Sequence, residues 1–252
     1  MIYIKSPEEI EVMAEGGRRL AAVLKKLVPS VRIGMTTKEL DVLAFDFIKG
    51  EGCKPSFLNY RPAGAAKAYP ATLCSSVNDV IVHGLPSDYV VCDGDLVKLD
   101  LGLVYKGFHL DAARTVSVGS VTPEAKRLIA ATRKALDAGI KEAKPGHTLG
   151  DIGFAIQNIA QKAGYSVAQG LTGHGIGKSL HEDPAVFNFG RRGQGEEIEE
   201  GMVIAIEPMI NAGTGAIKQL KDDSYATRDG SLSAHFENTV AITKDGPRVL
   251  TE

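Results

Sequence analysis

The amino-acid sequence predicts a single α+β domain over residues 1–252, composed of two related halves. Two pairs of helical segments indicate this fold class, because glycine-rich sequence with the alternation typical of strands follows each pair. A Gly-x-Thr segment separates the two helices of both pairs, which indicates an internal repeat. We therefore expect the sheets of the two halves to meet in the middle of the molecule, with the helices outside.

The first helix of each pair carries the same start signal. Ser6 and Thr122 are each followed by a proline and then by a glutamate. This order supplies an N-cap residue, a proline at the first helical position and an acid in the first turn. The four predicted helices end near residues 27, 52, 144 and 164.

The strands are predicted from apolar and β-branched segments. These segments cover residues 80–84, 90–91, 95–105, 108–118, 203–207 and 235–243. Lys106 and Gly107 lie between two of them and predict a two-residue hairpin turn. That turn pairs Gly102 with Asp111 and places Asp100 on the same face as Asp111. The predicted surface loops are residues 190–200 and 211–223.

The overall composition is typical of a globular protein, with 44% hydrophobic and 24% charged residues. Lysine and arginine total 29 against 31 aspartates and glutamates, so we expect neither nucleic acid nor a membrane as a partner. The N-terminal sequence lacks a secretory signal, and no apolar run is long enough to span a bilayer, so we expect a cytoplasmic protein. Three cysteines without CxxC spacing argue against disulfides or a thiolate zinc site, and Cys53 and Cys92 are expected to be buried.

Four acids in predicted strands are the most informative residues. Asp100 and Asp111 interrupt apolar strands, where aspartate is disfavoured; the alternative is a pair of exposed acids on an edge hairpin. Glu207 ends an apolar strand at Pro208, and Glu237 lies among apolar neighbours in an alternating strand. A salt bridge to a lysine or arginine would explain either glutamate alone.

Histidines add nitrogen atoms to this set. Glycines flank His174 and let its backbone approach another segment closely, His181 follows seven residues later, and His83 lies in an apolar strand. The other histidines are expected to be satisfied or exposed to solvent: His109, His147 and His235. Four carboxylates with one to three histidines and no cysteine suit a pair of Mn²⁺, Fe²⁺, Co²⁺ or Zn²⁺ ions better than a structural zinc.

Five motifs carry these residues: VKLDLG at residues 97–102, GFHLD at 107–111, GHGIG at 173–177, AIEP at 205–208 and HFENT at 235–239. In order and spacing they resemble the motifs of the type I methionine aminopeptidases. The resemblance covers essentially the whole chain and implies the pita-bread fold, with a curved, mostly antiparallel central sheet. It also implies hydrolysis assisted by two divalent ions, which removes an N-terminal methionine when the second residue is small.

The resemblance implies five metal ligands in this chain. Asp111 and Glu237 correspond to the ligands that bridge both ions. Asp100 corresponds to a ligand of one ion, and His174 with Glu207 to ligands of the other. Each chain is then expected to bind two Co²⁺, Mn²⁺, Fe²⁺ or Zn²⁺ ions, and Glu207 is also expected to act on the hydrolytic water.

Further residues correspond to the family's active site without binding metal. His83 and His181 are expected to be catalytic and to contact the substrate. The residues expected to line the substrate pocket are Phe57, Tyr60, Tyr69, Cys74 and Tyr225. Some members also hold a monovalent cation, which would use the backbone carbonyls of Asn78, Val80 and Ser233.

Two departures from the family pattern concern the pocket. Residues 61–67 are longer than usual and lack a histidine often found there, and Tyr225 stands where bacterial members often have tryptophan. The short spacing between His181 and Glu207 does not accommodate the insertion of type II enzymes.

Two rival interpretations fit the sequence less well. An X-Pro aminopeptidase or prolidase is expected to carry an additional N-terminal domain. A non-catalytic pita-bread binding protein is expected to have lost metal ligands, whereas all five are present here. We therefore expect an enzyme that acts as a monomer on peptides and on nascent chains at the ribosome.

Overall fold

The computed structural model describes residues 2–61 and 67–252. The lengthened segment predicted at residues 61–67 therefore lies, apart from its two end residues, outside the described part. The helices are α1 (Pro7–Leu27), α2 (Thr37–Gly50), α3 (Pro123–Glu142) and α4 (Leu149–Lys162), with a short 3₁₀ helix at Val28–Ser30. The four α-helices end within two residues of their predicted ends. Among the described residues, no helix is both long and apolar enough to cross a membrane.

Side-chain caps explain why the helices begin where they do. Ser6 Oγ accepts a hydrogen bond from the Glu9 N–H at 3.3 Å, and the Glu9 carboxylate accepts one from the Ser6 N–H at 3.0 Å. Thr36 and Glu39 repeat this capping box before α2, while the Thr122 side chain caps α3. Each cap contributes about 1 kcal/mol to helix stability.

The strands form antiparallel sheets in both halves. They are β1 (Lys54–Pro55), β2 (Cys74–Val77), β3 (Val80–Val82), β4 (Leu96–Tyr105), β5 (Phe108–Ser117), β6 (Ser166–Val167), β7 (Thr172–Gly175), β8 (Glu182–Phe187), β9 (Val203–Ile206), β10 (Met209–Asn211), β11 (Ile217–Gln219), β12 (Tyr225–Thr227), β13 (Ser233–His235), β14 (Asn238–Thr243) and β15 (Gly246–Val249). In the first half, β4 and β5 form a long hairpin, and β1 and β2 pair with β4. In the second half, five strands pair in the order β15-β14-β9-β7-β8. Smaller sheets, β13-β10-β6 and β11-β12-β3, complete the fold.

The hairpin of β4 and β5 has the predicted register. Gly102 pairs with Asp111, so Asp100 and Asp111 are diagonal neighbours on one face. Lys106 and Gly107 both have positive φ angles, of 47° and 85°, as a two-residue turn of this hand requires. The predicted turn and the predicted common face are both confirmed.

The strand predicted at residues 235–243 is interrupted. It divides into β13 and β14 because the chain leaves the ladder at Phe236 and Glu237. The Phe236 N–H donates a hydrogen bond to Pro208 O at 3.4 Å. The Glu237 N–H donates to Ala113 O at 3.0 Å, so the break turns Glu237 toward β5 of the other half.

Three smaller expectations are corrected. The strand predicted around Val90 reduces to a single bridge with Thr36. The loop predicted at residues 211–223 contains β11, which pairs with β12. Cys92 is exposed because it lies in the loop between β3 and β4, whereas Cys53 is buried as expected.

The two largest hydrophobic cores of the described residues lie on either side of the central strands. The first packs α1 and α2 against β4 and β5 and includes Leu20, Leu99 and Leu110. The second packs α3 and α4 against β9 and β14 and includes Leu128 and Ile204. The odd-numbered apolar residues of β4 belong to the first core, so its even-numbered residues turn toward the other half. The polar residues of β4 therefore lie between the two halves.

Candidate metal centre

Two aspartates begin the candidate site on the inner face of the β4–β5 hairpin. Asp100 is 9% exposed and Asp111 is 4% exposed, which excludes a pair of exposed acids on an edge hairpin. The Asp111 N–H donates to Thr239 Oγ1 at 3.0 Å, and the Thr239 hydroxyl donates to Asp111 O at 2.8 Å. These two hydrogen bonds connect β5 to β14 beside the aspartates.

Two glutamates reach the same place from the second half. Glu207 directly follows β9, and Glu237 lies in the break between β13 and β14 and is 2% exposed. The Arg114 guanidinium donates to the backbone O of Glu237 at 2.6 Å. One carboxylate oxygen of Glu237 and one of Asp100 are buried without a hydrogen-bond partner in the part of the chain that the structure describes. A salt bridge therefore does not account for Glu237.

We refer to Asp100, Asp111, Glu207 and Glu237 as the carboxylate cluster. Burial raises the pKa of Asp100 and of Glu207 to about 7. Burial first, and then the neighbouring carboxylates, raise the pKa values of Asp111 and Glu237 well above their usual range. Four carboxyl groups so placed cannot all ionise without added positive charge. Their orphaned oxygens and oxygen-rich chemistry fit divalent metal ions.

His174 faces the carboxylate cluster from β7. Its Nδ1 lies 2.8 Å from Gly175 O, which makes Nδ1 the protonated nitrogen of the neutral ring. The free Nε2 then points at the glutamate side, 3.6 Å from Glu207 Oε1. Gly173 permits this approach, because a Cβ atom there would lie 2.3 Å from Ala205 O on β9. His174 is thus held as a nitrogen ligand would be.

The structure brings the predicted ligands together. The ligand atoms of Asp111, His174 and Glu237 all lie within 4.8 Å of one another. The same is true of Glu207, His235 and Glu237. Asp100 adjoins this group through Asp111, its diagonal neighbour.

His235 was expected to be an ordinary histidine, and the structure corrects this. The residue is 1% exposed, and its Nε2 lies 3.3 Å from Glu207 Oε2. Neither ring nitrogen has a hydrogen-bond partner among the described residues. The sequence signal was its position two residues before Glu237 in an alternating pattern, which favours a shared face. The expectation is met for His109, whose Nδ1 lies 2.9 Å from Ser56 Oγ.

His181 lies next to His174 at the open side of the centre. The two ring centroids are 4.5 Å apart, with an interplanar angle of 89°. The Tyr60 hydroxyl lies 2.9 Å from His181 Nδ1. Desolvation by the surrounding residues lowers the pKa of His181, and His174 acts in the same direction, although His181 retains solvent exposure. The His181 ring is therefore neutral near pH 7.

His83 follows β3 and stands near a second aromatic residue. Its φ of 60° places the backbone in the left-handed region, and its ring centroid is 5.9 Å from that of Tyr225. Desolvation lowers the pKa of His83 as well. Tyr225 pairs with Val82 on β3, so both residues are held by the same small sheet.

Three further predicted residues lie along β4 near Asp100 and Gly102. Cys74 is buried and pairs with Asp100 across β2 and β4. The rings of Phe57 and Tyr69 meet edge to face, with centroids 6.4 Å apart. Gly102 leaves room for Phe57, because a Cβ atom at Gly102 would lie 3.1 Å from Phe57 Cε1. An apolar and aromatic wall thus lies beside the carboxylates.

The oxygens expected to bind a monovalent cation have another partner. Lys98 Nζ lies 2.6 Å from Asn78 O and 3.3 Å from Ser233 O. Both are carbonyls that the resemblance implied for the cation. The Lys98 ammonium group thus contacts two of the three carbonyls expected to bind a monovalent cation.

Comparisons with known proteins agree with this geometry. The family model described as Metallopeptidase family M24 matches residues 11–244. A methionine aminopeptidase of Clostridium perfringens is 45% identical over 252 residues, covering 100% of this chain and 99% of the relative. Methionine aminopeptidase 1 of Bacillus subtilis is 41% identical over 252 residues, with the same coverage of 100% and 99%.

Solved structures separate the two enzyme interpretations. The crystal structure of methionine aminopeptidase from Rickettsia prowazekii matches with a TM-score of 0.96 and 39% identity, covering 100% of both chains. Prolidase from Pyrococcus furiosus matches with a TM-score of 0.79 and 25% identity, and this chain covers only 65% of it. The pita-bread fold is confirmed, and the prolidase interpretation is the weaker of the two.

Proposed function

Because the chain belongs to metallopeptidase family M24 and is similar over its full length to methionine aminopeptidases, we propose that it hydrolyses the peptide bond after an N-terminal methionine. The observation that carries the proposal is the buried carboxylate cluster facing His174, with an apolar wall beside it. Such a centre combines metal ligands with a pocket for an uncharged side chain.

We infer that the centre takes two divalent ions, Co²⁺, Mn²⁺, Fe²⁺ or Zn²⁺. Asp111 and Glu237 would bridge the ions, Asp100 would bind one of them, and His174 with Glu207 would bind the other. When bound, the ions would polarise the scissile carbonyl and make a water molecule nucleophilic near neutral pH. Four carboxylates and one imidazole balance two doubly charged ions, which supports this assignment.

The chain's own residues would then position and protonate the substrate. The Glu207 carboxylate can take a proton from the hydrolytic water and pass it to the leaving amine. If the Tyr60 hydroxyl donates to His181 Nδ1, the His181 Nε2–H is left to donate to the developing oxyanion. His83, beside Tyr225, would contact the substrate from β3.

Selectivity follows from the wall beside Asp100. Phe57, Tyr69 and Cys74 offer apolar and polarisable surface that suits a thioether side chain. A small second residue would be preferred because the following side chain meets this closed region. Apolar pockets discriminate by about 1–3 kcal/mol per methylene, so the preference should be graded. We further propose that the enzyme acts as a cytoplasmic monomer on peptides and nascent chains.

The test is methionine release by the purified protein supplied with Mn²⁺ or Co²⁺. We expect cleavage of Met-Ala-Ser and no cleavage of an Ala-Pro peptide, with a chelator-treated sample as the control. Met-Gly, Met-Val and Met-Leu peptides should be cleaved at rates that fall in that order. Equal rates for these three peptides would contradict the selectivity, and cleavage of Ala-Pro instead of Met-Ala-Ser would favour a prolidase.

A further inference from the structure

A lysine lies fully buried between the two halves. Lys98 is 0% exposed and is among the largest fully buried side chains of the described residues. It is an even-numbered residue of β4, so it turns away from the first core and toward the second half. Burial of an unpaired ammonium is strongly unfavourable, and the group must therefore find oxygen partners.

Three oxygen atoms surround the Lys98 nitrogen. Nζ lies 2.6 Å from Asn78 O, 3.3 Å from Ser233 O and 3.1 Å from Ser233 Oγ. The Ser233 hydroxyl can donate its own proton to Asn78 O at 2.9 Å or to Val80 O at 3.3 Å, so its oxygen is free to accept from Nζ. We call these groups the lysine pocket. Three acceptors match the three N–H bonds of an ammonium, whereas a neutral amine has two.

Nearby acids and backbone geometry support the ammonium form against the cost of burial. Asp79 and Asp95 favour the charged form of Lys98. Asn78 has a φ of 53°, and its side chain donates to Asp95 Oδ1 at 2.8 Å and accepts from Leu96 N–H at 2.9 Å. These contacts fix the turn after β2 so that Asn78 O faces the ammonium.

The lysine pocket joins three segments that lead to the candidate metal centre. Lys98 precedes Asp100 by two residues on the same face of β4. The Asn78 turn separates β2 and β3, which carry or precede Cys74 and His83. Ser233 begins β13, which ends at His235. One charge therefore holds together three segments that lead to the site.

We propose that the Lys98 ammonium is a cation held covalently by the chain that replaces a free monovalent metal ion. The stability of the fold is therefore independent of Na⁺ and K⁺. Oxygen atoms of this kind also coordinate hard monovalent ions, and an ammonium is similar to K⁺ in size. Lys98 is thus a positioning residue for the strands around the centre. The inference concerns the fold and needs no assumption about the reaction that the centre performs.

The experiment compares Lys98→Ser, which leaves the oxygens facing a cavity, with Lys98→Met, which fills the cavity without charge. Melting temperatures of the full chain without divalent ions are measured in NaCl, KCl and choline chloride at equal ionic strength. Wild type should melt at the same temperature in all three salts. In choline chloride Lys98→Ser should lose roughly 5–15 °C. Na⁺ or K⁺ should restore much of this loss in a saturable manner.

The controls separate a bound ion from general salt effects. Lys98→Met should be destabilised equally in all three salts, because its side chain occupies the space an ion would need. Lys126→Ser, at an exposed position on α3, should match wild type throughout. Methionine release at saturating Mn²⁺ should follow the same salt pattern if the proposed function holds, while the melting data stand without it.

Any of three results would overturn the proposal. One is saturable stabilisation of wild type by Na⁺ or K⁺ over choline, which needs no variant and decides the matter even if Lys98→Ser fails to fold. The others are a Lys98→Ser protein that melts at the same temperature in all three salts, and a Lys98→Met protein that responds to Na⁺ or K⁺ as Lys98→Ser is expected to.

Discussion

The lysine pocket and the carboxylate cluster lie two residues apart on the same face of β4 and balance their charges in opposite ways. In the pocket, neutral oxygens surround a cation that belongs to the chain, the Lys98 ammonium. In the cluster, three buried carboxyl groups and the partly buried Glu207 surround a space whose positive charge must come from outside. The difference indicates that a cation belonging to the chain is sufficient where the charge only stabilises the fold. A cation that can dissociate is needed where water and substrate must exchange.

Removing one negative charge from the cluster should have the largest effect. Asp111→Asn and Glu237→Gln should each abolish methionine release, because each of these carboxylates balances charge on both expected ions. The fold should survive, since neutral amides are easier to bury than carboxylates. Activity, bound metal per chain and melting temperature are measured on one sample. Full activity with two bound ions in either variant would refute the bridging roles.

Removing the neutral donor beside the cluster should have the next largest effect. His181→Ala should lower kcat by about 10²–10³ at saturating metal, because an oxyanion donor acts mainly in the transition state. Tyr60→Phe is the matched comparison, since it removes only the hydroxyl at 2.9 Å from His181 Nδ1 and should cost less. A kcat within a few-fold of wild type, or a loss that follows lost metal or lost fold, would exclude the role of His181.

A smaller effect is expected from His235, which touches a ligand without being an expected ligand itself. His235→Ala should weaken divalent-ion affinity by about 10–100-fold, because the buried ring packs against the Glu207 carboxylate, with Nε2 3.3 Å from Oε2, and limits its orientation. His147→Ala is the control, since His147 lies between α3 and α4 and pairs with Glu142 instead of with a member of the cluster. Affinity is measured by titration of the metal-free protein. Equal affinities of His235→Ala and wild type would remove His235 from the centre.

The smallest effect concerns the metal-free protein and pH. Burial raises the pKa of Asp100 from 3.8 to about 7. A raised carboxyl pKa contributes stability below the unfolded pKa, and that contribution is lost as pH rises through the folded pKa. Asp100→Asn should therefore gain stability relative to wild type between about pH 4 and about pH 7. We expect a relative gain of roughly 2–8 °C in melting temperature.

Comparison with the variant is needed because two histidines near the centre titrate in the opposite sense. Desolvation lowers the pKa values of His83 and His235 to about 4, so their contribution to stability rises with pH. Saturating Mn²⁺ should stabilise wild type most at the upper end of this pH range, where the carboxylates are ionised. A constant difference between wild type and Asp100→Asn at all pH values would contradict the raised pKa.

Local signals sufficed for much of the fold. The caps at Ser6 and Thr122 and the turn at Lys106 depend on neighbouring residues, and the structure has them where they were predicted. The positions of Asp100 and Asp111 on one face followed from that turn alone. The proximity of the five expected ligands came instead from the family resemblance, since their segments are far apart in sequence.

The features that sequence reasoning missed depend on distant partners. The break at Glu237 arises from a backbone hydrogen bond to Ala113 on β5, which no local alternation reveals. Lys98 was visible as a charge in an apolar strand, but its acceptors lie 20 and 135 residues away. His235 looked ordinary because its position against Glu207 depends on the pairing of β10 with β13, in which Met209 lies opposite His235.

Arg114 has a consequence for the order of folding. Its guanidinium donates to Glu237 O, 123 residues away, and to Thr251 O, 137 residues away. Contacts of such sequence separation close slowly, and they form after local hairpins and helices. The cluster is therefore completed late, and a divalent ion would enter a site that the chain has already formed. Such an ion would slow unfolding while leaving the folding rate nearly unchanged.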